Sequence, residues 1–196
     1  MSELRTATRF NASARLTPAN ALTLARIVLA PVLFVLIFDA KDTRGASWPV
    51  FTLGVILALT DHYDGQLARR HGTTRSGAFL DPLADKVVVI GAMVSLVMVN
   101  RYWWVPVAII TARELAITAM RAHFARGGMA IPARTSAKYK TLVQGIALLV
   151  AVIPVLRKTQ TPSVVALWIA VALTLWSGWQ YVRDGSQGTT SAGSRR

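Results

Sequence analysis

Four of the nine acidic side chains in this sequence lie within 25 residues of one another, in otherwise apolar surroundings. Asp61 and Asp64 are three residues apart, and Asp81 and Asp85 are four apart. On helices each pair therefore projects from one face. If the polar break at 70–76 is a turn between two antiparallel helices, all four carboxylates converge.

Converging carboxylates repel one another, and near lipid each is costly unless it is paired. Hard divalent cations such as Mg²⁺, Mn²⁺ and Ca²⁺ select oxygen ligands and would compensate this charge. The chain has no Cys, and its three His show no metalloprotease spacing, which argues against zinc. Two ions about 4 Å apart suit displacement at phosphorus, because they stabilise both the attacking and the leaving oxygens. The pattern predicts one or two hard divalent cations held by Asp61, Asp64, Asp81 and Asp85.

Small residues and one arginine are interleaved with the acids. Gly65, Ala68 and Gly77 would let a bulky ligand approach the backbone closely. Arg69, one turn beyond Gly65, offers a fixed cation for a phosphate. Two simpler interpretations stay open at this point: a helix end with solvated charges, and intramembrane acids along a proton or ion path.

The composition indicates an all-α, polytopic integral membrane protein. The chain has 196 residues, is 53% hydrophobic and contains long uncharged runs. Residues 1–17 form a polar N-terminal segment, 18–183 a single domain, and 184–196 a Gly/Ser/Thr-rich tail predicted to be disordered. Six transmembrane helices are predicted, at about 20–38, 49–69, 77–99, 103–121, 138–156 and 163–182.

The formal net charge of +13 is distributed unevenly between the two sides of these spans. Fourteen of the 22 Lys and Arg residues fall on the side of the N-terminus and five on the other side. This bias predicts both termini in the cytosol, a multi-pass protein of the cytoplasmic membrane, and an acidic site that faces the cytosol. Topology and anionic membrane lipid account for the positive charge, so no nucleic-acid partner is expected.

Polar residues inside the first and fourth spans add to the candidate site. Asn20, Thr23 and Arg26 are spaced by three and share a helix face. An intramembrane arginine normally faces the protein interior, although Arg26 could also snorkel from a helix end. Arg113 lies too deep in its span to belong to the surface charges of the positive-inside bias. Glu114, the next residue, could orient a neighbouring side chain.

A basic set on the same membrane side as the acids would suit an anionic phosphate acceptor, because fixed cations in a partly dry site bind phosphate well. The alternative for Arg121 and Lys138 is that they belong to the positive-inside charge bias and do not bind the acceptor. The set comprises Arg113, Arg121, Lys138 and Lys140.

The acidic motif, D-x-x-D-G-x-x-A-R followed by G-x-x-x-D-x-x-x-D, resembles the signature of the CDP-alcohol phosphotransferase family. The signature fixes eight residues over 25 positions. The resemblance implies a homodimeric membrane enzyme that uses CDP-diacylglycerol. With that reaction, we predict that the four aspartates hold two divalent cations, Mg or Mn, and that Asp85, at the end of its stripe, acts as general base. It also places the Asn20, Thr23 and Arg26 face on the nucleotide side, with Gly65, Ala68, Arg69 and Gly77.

Three further segments, 80–86, 111–114 and 138–144, are similar to members of the family whose acceptor is glycerol 3-phosphate. The reaction implied is transfer of the phosphatidyl group to that acceptor, with release of CMP. The alternative within the family is a cardiolipin synthase, which uses phosphatidylglycerol. Outside the enzyme class, a non-enzymatic ion carrier would string its acids along a path, whereas these acids cluster at one depth.

Overall fold

The structure is a computed structural model that describes the backbone of residues 18–71, 77–126 and 135–193. Side chains are described for residues 21–61, 63, 84–120, 122, 139–180 and 183. Within these ranges the chain forms α-helices and two short 3-10 helices, and no strand, which confirms the predicted all-α class. The helices are α1 (Pro18–Asp39), α2 (Trp48–His71), α3 (Gly77–Met98), α4 (Trp104–Arg126), α5 (Thr135–Val152) and α6 (Thr161–Gly193).

Among the residues that the structure describes, two segments are long and apolar enough to cross a membrane, Ala21–Asp39 in α1 and Thr161–Gln180 in α6. Shorter apolar stretches occupy Trp48–Asp61 and Tyr139–Val152. The helices themselves match the six predicted segments, while six crossings and their direction remain predictions.

The last helix ends later than the sequence suggests. Residues 184–193, which the composition assigns to a disordered tail, continue α6 as far as Gly193. A helix that is already nucleated extends by one hydrogen bond per residue, so polar residues can prolong it even without burial. The predicted N-terminal segment 1–17 and the last three residues lie outside the described part of the chain.

The helices pack in two groups of three. In the first, α1 contacts both α2 and α3, and in the second, α6 contacts both α4 and α5. Contacts of α2 with α5, and of α3 with α4 and α5, join the two groups. Among the described residues, α1 rather than α3 is the main neighbour of α2. Within the described part of the chain, the two acid-bearing helices are therefore connected mainly through α1.

Three of the connections meet at one end of the bundle, which we call the connection end: residues 40–47, 99–103 and 153–160. Arg101, only 1% exposed, donates hydrogen bonds to the carbonyl oxygens of Leu156 at 3.1 Å and of Arg157 and Thr159 at 3.4 Å. In the first connection Gly45 has φ +80°, and a Cβ there would lie 3.0 Å from Leu96 Cδ2. These contacts fix the helix ends relative to one another.

Large apolar side chains remain exposed along the outer faces of the helices. On α1 they form a stripe of Leu24, Val28, Val32 and Val35, and on α6 Trp168, Ile169 and Trp176 are exposed. Apolar surface of this extent is rare on monomeric water-soluble proteins and marks contact with lipid or another protein. This surface agrees with the membrane protein that the composition predicts.

Candidate active site

The helices bring charged side chains to one depth in the bundle. Arg26 on α1, Asp61 on α2 and Asp85 on α3 each lie thirteen residues from the end of their helix at the connection end. At 1.5 Å per residue this is about 20 Å from that end. Glu114 on α4 and Lys140 on α5 lie at a similar distance, ten and twelve residues from theirs. Neighbouring helices of alternating direction therefore place five charges in one layer.

The clearest contact in this layer is an ion pair between α1 and α2. Arg26 Nη1 lies 2.8 Å from Asp61 Oδ1. The arginine side chain is 2% exposed, whereas the aspartate is 44% exposed. Thr23, one turn earlier on α1, is also buried. Arg26 thus faces the protein interior, which contradicts the alternative that it snorkels to a membrane surface.

Asp85 lies at the centre of the charged layer. Its carboxyl is partly buried, and four charges act on it, each from a different helix. Asp61 and Glu114 repel the carboxylate, and Arg26 and Lys140 attract it. Asp61 and Asp85, the two of the four predicted ligands whose side chains are described, therefore lie close enough to repel each other. The convergence of all four acids stays a prediction.

A second group of charges joins α4, α5 and α6. Glu114 Oε1 accepts hydrogen bonds from Arg113 Nη1, at 3.1 Å, and from Lys140 Nζ. Arg113 Nη2 also donates to Ser177 Oγ on α6, at 2.8 Å. The three charged side chains are at most 9% exposed. We call Arg113, Glu114 and Lys140 the basic cluster, since it carries one negative and two positive charges.

Hydrogen bonds connect this cluster with the helices around it. Thr118 Oγ1 donates to the carbonyl oxygen of Glu114 at 2.7 Å and accepts from Lys86 Nζ, next to Asp85. About one turn along α5 and α6 from Lys140 and Ser177, Gln144 Nε2 donates to Thr174 Oγ1 at 2.9 Å. Polar residues of α3, α5 and α6 therefore bond to the basic cluster or lie within about one helical turn of the residues that do.

The sequence analysis missed the polar surface that α6 contributes. Ser177 and Thr174 are fully buried and three residues apart, a spacing that puts both on one helix face. Polar residues at helical spacing within an otherwise apolar span were the available signal. Gly178 escaped notice because its role depends on Arg113, which only the fold brings close.

Several predicted site residues have side chains outside the described residues, so their placement is limited to their helices. Asp64 lies in α2 and Asp81 in α3, each within one turn of its described partner. Among the described residues no group of three or more His, Cys, Asp or Glu could hold a metal ion. The others with undescribed side-chain surroundings are Asn20, Gly65, Ala68, Arg69, Gly77, Arg121 and Lys138.

The described part of the layer is chemically suited to a divalent cation and to a phosphate. Asp61 is paired on one oxygen and remains 44% exposed, so its carboxylate is accessible. Its repulsion of Asp85 would be relieved by a cation between them, and carboxylate oxygens are the ligands that Mg²⁺ and Mn²⁺ prefer. The buried cations of the basic cluster are the kind of group that binds phosphate.

Comparison with known proteins agrees with this chemistry. Residues 16–176 match the family described as CDP-alcohol phosphatidyltransferase. A probable phosphatidylglycerophosphate synthase of Mycobacterium tuberculosis (strain H37Rv) is 39% identical over 170 residues, 84% of this chain and 79% of the relative. The CDP-diacylglycerol–glycerol-3-phosphate 3-phosphatidyltransferase of Escherichia coli (strain K12) is 40% identical over 169 residues, 82% of this chain and 90% of the relative. With that match across most of its length and the motif of residues 61–85 in place, the chain is a member of the CDP-alcohol phosphatidyltransferase family.

Proposed function

We propose that this enzyme transfers the phosphatidyl group of CDP-diacylglycerol to sn-glycerol 3-phosphate, releasing CMP. The relatives named for this reaction support the substrates. The observation that carries the proposal is that the Arg26–Asp61 ion pair, Asp85 and the basic cluster lie at one depth in the bundle. In this arrangement the acidic group, with bound cations, could bind a diphosphate donor on one side of Asp85. The basic cluster could bind an anionic acceptor on the other side.

On the donor side, Asp61, Asp64, Asp81 and Asp85 would hold two divalent cations, Mg²⁺ or Mn²⁺. Such ions, when bound, neutralise a diphosphate and stabilise charge on the oxygens that attack and leave. Arg26 holds the Asp61 carboxylate in place through their 2.8 Å contact. The residues proposed to accommodate the nucleotide and diphosphate are Asn20, Thr23, Arg26, Gly65, Ala68, Arg69 and Gly77.

Asp85 would act as the general base. It would take the proton from the 1-hydroxyl of the acceptor as that oxygen bonds to the phosphorus bearing diacylglycerol. The bond from this phosphorus to the oxygen of CMP breaks in the same displacement, and Arg69 would stabilise the departing phosphate.

On the acceptor side, Arg113, Arg121, Lys138 and Lys140 would bind the phosphate of glycerol 3-phosphate. Arg113 and Lys140 are the two whose side chains are described, and both are buried beside Glu114. A lysine ammonium has three donors, so Lys140 keeps donor capacity beyond its bond to Glu114. Fixed cations in a partly dry site bind phosphate more strongly than exposed ones.

We further propose six membrane crossings in the cytoplasmic membrane with the charged layer facing the cytosol, and a homodimer by family resemblance. The positive-inside bias supports the orientation. CDP-diacylglycerol would keep its acyl chains in lipid beside the exposed apolar helix faces, while the soluble acceptor enters from the cytosol.

The test is an acceptor assay with purified protein in detergent. CDP-diacylglycerol and Mg²⁺ are supplied with glycerol 3-phosphate or with phosphatidylglycerol, and both CMP and the lipid product are measured. We expect phosphatidylglycerophosphate from glycerol 3-phosphate alone. Turnover with phosphatidylglycerol only would show a cardiolipin synthase instead. Ion flux in vesicles without CMP release would overturn the enzyme assignment.

A further inference from the structure

Glu114 has an unusual position for an acid in an apolar bundle, because it faces two cations through a single oxygen. Its Oε1 binds both Arg113 Nη1 and Lys140 Nζ, and its side chain is 7% exposed. A buried charge is normally tolerated only when it is paired and hydrogen-bonded. Glu114 is paired and hydrogen-bonded in this way, and the same contacts pair two buried cations.

The shared oxygen also fixes the distance between the two cations. Since Arg113 and Lys140 come from different helices, α4 and α5, their spacing would otherwise depend on helix packing alone. Binding to one atom holds both nitrogens close enough for one phosphate to contact both. Lys140 in addition attracts Asp85, which lies on α3. The carboxylate of Glu114 thus sets where the cations stand relative to the proposed base.

The guanidinium of Arg113 is held on its other side by α6. Ser177 Oγ accepts from Nη2 at 2.8 Å. A Cβ at position 178 would lie 3.1 Å from Arg113 Nε and 3.4 Å from its Cγ, so glycine lets the arginine lie directly against the helix. Residues 177 and 178 therefore form a surface against which the side chain of Arg113 packs closely.

We propose that Glu114 is a positioning residue for the acceptor, because it holds Arg113 and Lys140 at the spacing that binds the acceptor phosphate. Ser177 and Gly178 hold Arg113 from the other side. The inference rests on the proposed function, since it concerns the acceptor of that reaction. The proposal predicts that the two substrates respond differently to changes in the basic cluster. Such changes should weaken binding of the acceptor and leave binding of CDP-diacylglycerol unaffected.

The experiment measures the KM for each substrate at saturating concentration of the other, in detergent with Mg²⁺. Glu114→Gln keeps the shape and removes the charge. We expect the KM for glycerol 3-phosphate to rise by about 10- to 150-fold, the range for loss of one hydrogen bond to a charged group. The KM for CDP-diacylglycerol should change by less than about twofold. Glu114→Asp, which keeps the charge on a shorter arm, should recover part of the acceptor affinity.

Two milder variants keep the test decisive if Glu114→Gln does not fold. Ser177→Ala and Gly178→Ala should raise the acceptor KM by a smaller factor, and Gly145→Ala is the matched control, because a Cβ at position 145 meets nothing within 4 Å. A second readout needs no turnover. Glycerol 3-phosphate alone should raise the melting temperature of the unaltered protein and raise it less in the variants.

The outcomes separate the two ideas. If the unaltered protein releases no CMP with glycerol 3-phosphate, the proposed function is wrong. If it does, but the cluster variants leave the acceptor KM unchanged or raise both KM values equally, then Glu114 has only a structural role and the inference fails.

Discussion

The ion pair between Arg26 and Asp61 predicts that Arg26→Gln inactivates the enzyme out of proportion to its effect on stability. Arg26 is 2% exposed and contacts Asp61 at 2.8 Å, so glutamine would remove both the charge and the short contact. Asp61 would then lose the group that orients its carboxylate. In the proposed mechanism this carboxylate holds a cation, so its orientation bears directly on the reaction.

The magnitude follows from the exposure of the two partners. Breaking a fully buried pair costs about 3–5 kcal/mol, because the remaining charge stays buried. Asp61 is 44% exposed and recovers hydration, so a hydrogen bond to a charged group, about 1.5–3 kcal/mol, is the better measure. If that loss falls on the transition state, the rate drops by roughly 10- to 150-fold, since about 1.4 kcal/mol is a factor of ten.

Arg101 supplies the matched control. It is equally buried, at 1% exposure, but it lies at the connection end and bonds only to backbone carbonyl oxygens. Arg101→Gln should lower the melting temperature and leave the turnover of the folded fraction nearly unchanged. CMP release per folded molecule, normalised by size-exclusion chromatography and thermal unfolding, compares the two variants. Equal activity losses in both, or full activity in Arg26→Gln, would refute the role given to the ion pair.

Three other predictions address the metal, the base and the packing. EDTA should abolish CMP release and Mg²⁺ or Mn²⁺ should restore it, whereas activity that survives thorough chelation would exclude the divalent-cation mechanism. Asp85→Asn should reduce turnover by about 100-fold or more with the protein still folded, and a variant with normal turnover would remove Asp85 from the role of base. Gly91→Ala should destabilise the protein by about 1–3 kcal/mol in thermal unfolding, because its Cβ would fall 2.2 Å from Phe34 Cζ between α1 and α3. Gly54→Ala, in ordinary contact at 3.4 Å, should not, and equal stability of the two variants would contradict the close packing.

Sequence reasoning located the helices because hydropathy is a local property. The predicted spans and the observed helices coincide to within a few residues at most ends, and the motif at 61–85 identified the family that comparison confirmed. The end of α6 was misplaced, since glycine, serine and threonine indicate a flexible tail by composition but do not prevent a formed helix from continuing.

Contacts between distant segments could not be predicted in this way. The predicted turn in the polar break at 70–76 stays a prediction, because residues 72–76 lie outside the described part of the chain. The contacts of α1 with both α2 and α3 depend on how all the helices pack, which local patterns do not specify. The sequence pointed to an interior position for Arg26 but offered no means of choosing its partner. Arg101 resembled an ordinary loop charge, although it is buried and ties two connections together.

An apolar bundle can accommodate several charged residues here because they lie at the same depth. Arg26 and Asp85 lie eight residues from the other ends of their helices, or about 12 Å. In the proposed topology, with a hydrocarbon core about 30 Å thick, a layer at that depth would lie in the cytosolic half of the membrane. The donor would then meet a soluble acceptor there without leaving the membrane. Charges spread along the helices would each need a partner in hydrocarbon, whereas charges in one layer pair with one another and with the substrates.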